Sequence, residues 1–193
     1  MDKLNLINKI ISETGASTFN LGNSNINERL AYISIISSTA WADGSIDSRE
    51  LEILKNIANA AGPDIEEQLD LIISETQRFN INKYEEWVAD ITTEPLKIGL
   101  LTDMFLTSFA DSICMQSESI YMKYIAGKLG ITDEIYNVIR RNVEDYLNSQ
   151  NNGNTMSYEE GVAHKTENRP ETEEESNLRS VINSLMKSVI LAI

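Results

Sequence analysis

An internal repeat constrains the fold of this chain more than any other feature. The run that begins Thr39-Ala40-Trp41-Ala42-Asp43-Gly44 and ends at Gly62 reappears 68 positions later. There it begins Thr107-Ser108-Phe109-Ala110-Asp111-Ser112 and ends at Gly130. Asp43 matches Asp111, Glu50 matches Glu118, Lys55 matches Lys123 and Ala58 matches Ala126, with no gap over 24 positions. Such a repeat is one supersecondary unit used twice. Each copy reads as a helix, a tight turn and a second helix. In the first copy Gly44 supplies the positive φ that ends a helix, and Ile46 plugs the turn into the core. Asp47 caps the next helix, with Glu50 three residues later completing a capping box. The second copy keeps an apolar plug as Cys114 but has Ser112 in place of the glycine and Met115 in place of the cap, so its turn is degraded.

The rest of the chain extends this helical reading. Few prolines and glycines (three and nine) argue against a turn-rich sandwich. Apolar periodicity and local stop signals predict helices over 28–42, 48–61, 64–78, 82–92, 95–110, 117–129 and 132–148. Gly62-Pro63 ends one helix with Asp64 as a cap for the next, Pro95 sits in a first turn, and Gly130 and Thr132 mark another boundary. The fold class is therefore all-α, a bundle of about seven to eight helices with two helix–turn–helix halves related by a pseudo-two-fold. An N-terminal amphipathic helix and loop (1–27, with Leu4, Ile7, Ile10 and Ile11 on one side) precede the helical domain at 28–148. Residues 149–176, polar and ending in the run Glu171-Thr172-Glu173-Glu174-Glu175, lack the aliphatic content to offset ordering entropy and read as a disordered acidic linker. A C-terminal amphipathic helix follows over 177–193.

The segments Ala42-Asp43-Gly44-Ser45-Ile46-Asp47 with Glu50-Leu51, and Ala110-Asp111-Ser112-Ile113-Cys114 with Glu118, resemble the TerB-like family. That family is associated with tellurite resistance and also occurs as a domain of a membrane-anchored J-domain co-chaperone. The resemblance covers roughly residues 28–148. It implies an all-helical bundle with pseudo-two-fold halves and a role in metal or stress response, by binding rather than catalysis.

Charge and side-chain inventory narrow the chemistry. Thirty carboxylates against sixteen Lys and Arg give a formal charge of −14, the wrong sign for a phosphate-tracking surface and suited to cations or a basic protein partner. The expectation is no nucleic acid. Asp43, Asp47 and Glu50, with Asp111 and Glu118 from the second copy, are hard oxygen ligands of the kind Ca²⁺ or Mg²⁺ prefers. They are the candidate metal ligands, and a divalent cation is the only cofactor expected. The competing reading assigns Asp47 and Glu50 to capping and Asp43 to the backbone N–H groups of its turn. With Gly44 in the sixth loop position, Thr39 and Trp41 would occupy positions one and three, so this is not a working EF-hand. Acidic groups at Glu66, Glu67 and Asp70, and at Glu85, Glu86 and Asp90, read as solvated faces, and Trp41, Trp87 and Phe109 read as core.

Catalysis has little support. The single histidine, His164, falls in the linker, and Cys114, the single cysteine, fills a plug position without a histidine beside it. No secretory leader or spanning segment is seen, so the expected location is cytoplasmic, peripheral to the inner membrane at most. In the C-terminal helix Val181, Leu185, Val189 and Ile190 share one face and are the candidate partner-binding residues, in self-association or with another protein. A membrane surface suits it less, because Arg179 and Lys187 are its only cations. The functional expectation is a non-enzymatic module that binds a partner protein and a divalent cation. The alternative is a scaffold or assembly subunit acting through its terminal helices.

Overall fold

Asn25 starts the helix Ile26–Ala40 by a reciprocal bond pair. Its side chain accepts the Glu28 N–H at 3.0 Å while Glu28 accepts the Asn25 N–H at 3.1 Å. The computed structural model describes residues 21–77, 81–110, 113–150 and 157–158. Eight α-helices lie within them: α1 (Ile26–Ala40), α2 (Ser48–Ala61), α3 (Pro63–Glu66), α4 (Leu69–Thr76), α5 (Ile81–Asp90), α6 (Glu94–Ser108), α7 (Gln116–Lys128) and α8 (Asp133–Gln150). The all-α expectation holds for the bulk of the fold. A two-residue parallel pair is added, β1 (Ile113–Cys114) with β2 (Ser157–Tyr158).

The repeat is visible in the helix boundaries. α6 begins and ends 68 residues after α1, and α7 begins 68 residues after α2. α1 and α6 are the two central helices. Every residue of α1 from Ala31 to Ala40 is buried, and α6 buries Leu100, Leu101, Met104, Phe105 and Leu106 among others. α1 packs against α2, α4, α5, α6 and α7, while α6 also meets α8. A helix buried all round must satisfy its polar side chains internally. Ser38 donates to the Ser34 carbonyl at 2.8 Å, Thr39 to the Ile35 carbonyl at 3.0 Å, and Ser37 bonds Thr76 of α4 at 2.8 Å.

Several boundaries follow the sequence signals. Gly44 takes φ 100° and closes the turn after the 3₁₀ segment Trp41–Asp43. Ile46 packs against the core and Cys114 is fully buried, so both plug positions are filled. Pro95 lies in the first turn of α6, and Thr132 accepts the Ile135 N–H ahead of α8. Phe109 is fully buried, Trp87 packs against the core from a half-buried position, and half-buried Trp41 donates to the Ile73 carbonyl.

Three details depart from the sequence reading. The helix predicted over 64–78 is two, α3 and α4. Gln68 donates its side-chain amide to the Asp64 carbonyl at 2.7 Å, and its backbone N–H goes to Ile65 at 3.1 Å, which replaces the regular α pattern. Asp64 does not cap. Gly62 is the N-cap, and Asp64 accepts from Arg29 at 2.6 Å, while the same guanidinium nitrogen donates to the Ala61 carbonyl at 2.9 Å. That guanidinium holds the Asp64 carboxyl below the usual carboxylate range. A side chain at Gly62 (φ 126°) would place its Cβ 2.8 Å from this guanidinium and 2.9 Å from the carboxylate, so the tight junction needs glycine. Finally, α8 runs to Gln150, and Ser157–Tyr158 returns to the second turn; both fall in the stretch expected to be a linker. The N-terminal helix and the C-terminal helix expected over 177–193 lie outside the described residues.

Candidate functional site

The acidic residues of the first turn are tied to its backbone. Asp43, exposed, accepts the Ser45 N–H at 2.9 Å. Asp47 accepts the Arg49 and Glu50 N–H groups at 2.6 and 2.8 Å, and Glu50 accepts the Asp47 N–H at 2.9 Å. This is the full capping box expected of the first copy. In the second copy Glu118 accepts the Met115 N–H at 2.8 Å. Met115 has no oxygen to return that bond, so only one arm of the box forms there. Replacing Asp47 by alanine should therefore lower the unfolding free energy by about 1 kcal/mol, read by urea denaturation.

The 3₁₀ turn Trp41–Asp43 packs against α7, which brings the two capping glutamates near each other. Glu118 is 3 % exposed, and Glu50 is half-buried. Burial, and then the charges of Glu118, Asp47 and Asp43, push the Glu50 carboxyl up to about 8, against the lowering effect of its bond to Asp47. Asp111 lies outside the described residues. Among the described residues no three His, Cys, Asp or Glu side chains form a group able to hold a metal ion.

A second internal acid escaped the sequence reading. Asp103 of α6 is fully buried and accepts the Tyr32 hydroxyl of α1 at 2.7 Å. Its other oxygen, Oδ1, has no hydrogen-bond partner among the described residues. Burial pushes this carboxyl up to about 7, opposed by the bond from Tyr32, and burial beside Asp103 in turn raises Tyr32. The signal was one Asp within Leu100-Leu101-Thr102-Asp103-Met104-Phe105-Leu106, where a polar residue must face a partner inside the core.

The outer face of α7 carries the other missed feature. Ile120 and Tyr124, one helical turn apart, are 62 % and 40 % exposed. Tyr124 rests on an aromatic group behind it, with its ring 6.2 Å from that of buried Tyr84. Tyr84 packs edge-on to Trp87 and Tyr121 at 6.1 and 5.5 Å. Lys128 sits over the Tyr124 ring at 5.5 Å. Gly127 is on the same face, and a Cβ there would meet nothing within 4 Å. The result is an outward apolar stripe on a rigid base, flanked by Lys123 and Lys128. Sequence periodicity hid it because α7 has apolar residues on two sides and so little amphipathic contrast. The acidic faces behave as expected, with Glu66, Glu67, Asp70, Glu85 and Glu86 exposed and Asp90 half-buried.

Val181, Leu185, Val189 and Ile190 lie outside the described residues, as does His164. Among the described residues no helix is long and apolar enough to cross a membrane. No protein-family model, curated protein or solved structure matches the chain, so the TerB-like resemblance stands on the two turn motifs alone.

Proposed function

We propose that this chain is a non-enzymatic TerB-like binding module in a bacterial stress or tellurite-resistance-type response. In this reading two pseudo-two-fold related helix–turn–helix units form the body. Residues 159–176, the acidic remainder of the expected linker, join them to a C-terminal amphipathic helix, and a partner protein is engaged through apolar helix surfaces. The observation that carries it is the exposed pair Ile120 and Tyr124 on α7. Two large apolar side chains held out by a packed aromatic base cost solvation unless something covers them. The internal acids, by contrast, are committed to the Asp47 and Met115 backbones and to Tyr32.

The experiment is native sizing of the chain in extracts of its source cells. The wild type should migrate in a complex larger than the monomer, and the Ile120→Glu/Tyr124→Glu variant should migrate as monomer. Because both positions are exposed, folding stability should change by no more than about 0.5 kcal/mol each. A wild-type monomer, or an unchanged complex in the variant, contradicts the reading. The assembly-subunit alternative predicts the same shift with only copies of this chain in the complex.

A second reading, cation binding, is favoured by the approach of Glu50 to Glu118. A divalent ion at these residues, with Asp43, Asp47 and Asp111 nearby in sequence, would relieve their repulsion. Thermal unfolding with Ca²⁺, Mg²⁺, Mn²⁺ or Zn²⁺ tests it. An ion at 100 times its Kd should add about 2.7 kcal/mol, and Glu50→Gln should remove the gain. No stabilisation by any of the four returns these residues to capping alone.

A further inference from the structure

We propose that in the free protein the α7 stripe is covered by the chain's own C-terminal segment, 177–193, which a partner must displace. This rests on the reading of the stripe as a docking surface and names what holds it when no partner is bound.

The short strand pair supplies the tether. After α8 the chain comes back to the second turn, where Ser157 pairs with Ile113 and Tyr158 with Cys114. β1 directly precedes α7, so the remaining chain departs from the N-terminal end of that helix. Ile120 and Tyr124 lie roughly 6 and 12 Å further along its axis. From Tyr158, 22 residues lead to Val181, and even as a random coil they would span roughly 26 Å. The stripe is therefore within reach, at an effective concentration on the order of millimolar.

Shape and charge fit the same occupant. Val181, Leu185 and Val189 recur every four residues, the spacing of Ile120 and Tyr124, so ridges of that kind can interdigitate. As a helix, 177–193 would be roughly 25 Å long against roughly 20 Å for α7, enough to lie along all of it. Gly127 leaves room for close approach at one end. Lys123 and Lys128 flank the stripe in exposed ion pairs with Asp133 at 3.5 Å and Glu85 at 3.1 Å, weak surface pairs that the acidic run 171–175 leading into the segment can share. The N-terminal segment is a poorer occupant. The chain arrives at Leu21–Asn23 beside the far end of α2, where Gly22 approaches the Ala60 carbonyl, whereas the turn before α2 is the one that meets α7.

The test is photo-cross-linking of the purified full chain carrying Tyr124→p-benzoylphenylalanine, at two dilutions, with the products mapped by mass spectrometry. Cross-links should fall within one molecule, on residues 177–193, and should not change on dilution. They should drop about tenfold when Leu185→Glu/Val189→Glu is added, since those side chains supply the buried apolar surface. Those two positions are outside the described residues, and an unchanged unfolding midpoint of that variant shows that loss of the cross-link does not reflect unfolding of the helices. Cross-links to residues 1–20, cross-links between molecules only, or no preference for 177–193 would each overturn the proposal. Any of these results together with a large native complex in extracts would leave the partner-binding reading standing.

Discussion

The unfolding free energy should fall as pH rises from 5 to 9, and Asp103→Asn should flatten most of that slope. Asp103 is fully buried with one hydrogen bond, from Tyr32, and its carboxyl is raised to about 7 from a usual 3.8. Between about pH 4 and 7 the folded protein therefore holds a proton that the unfolded chain has already released. Its contribution is fully present below about pH 4 and is lost as pH climbs through about 7. For a shift of this size the change is on the order of 2–4 kcal/mol. Glu50, raised to about 8 from 4.5, acts with the same sign but is partly solvated, so its share is smaller. Glu50→Gln keeps an oxygen for the Asp47 N–H and should remove only that share. Asp64 works the other way at the acid end. Its depressed carboxyl, held by Arg29, supports the fold above the usual Asp range and ceases to as pH falls below it. Urea denaturation across pH 5–9 checks the prediction. Stability rising with pH, or an Asp103→Asn protein with the wild-type slope, would sink it.

Phe105→Ala should cost about 3–5 kcal/mol. Phe105 is fully buried on α6, one of the two central helices. Its ring lies 6.4 Å from Phe109 in a stacked arrangement and 5.2 Å from Tyr136 of α8. Truncation removes both aromatic contacts and leaves a void between α6 and α8 that neighbouring helices cannot fill without shifting. Tyr136, whose hydroxyl burial pushes up to about 12, would lose its packing wall, and the end of α8 should show faster amide exchange. Denaturation of the variant measures the loss. A change under about 1 kcal/mol would mean that α8 is not anchored through this ring.

The local grammar of the fold was legible in the sequence because short-range signals set it. Gly44, Asp47, Glu50, Pro95 and Gly130 each act within a few residues of themselves, and each does its expected work. Pairings that depend on distant chain segments were not legible. Arg29 reaches Asp64 across 35 positions and Tyr32 reaches Asp103 across 71, and no periodicity announces such partners. The same limit applied to the candidate site. Sequence spacing singled out the acidic turns, where Asp43, Asp47, Glu50 and Glu118 proved to be bonded to backbone N–H groups. The α7 stripe became visible only once packing had shown which of two apolar sides of that helix is covered. The return of Ser157–Tyr158 to the second turn was hidden for the same reason, since a polar stretch gives no cue to a two-residue pairing.

The most direct test of the account is photo-cross-linking inside the source cells, with p-benzoylphenylalanine in place of Tyr124 in one strain and of Ser45 in another. Tyr124 lies on the α7 stripe and Ser45 is exposed in the acidic turn. The account predicts that the Tyr124 probe captures a discrete partner protein and that the Ser45 probe does not. Capture from Ser45 with none from Tyr124 would contradict it and move the binding surface to the acidic turn.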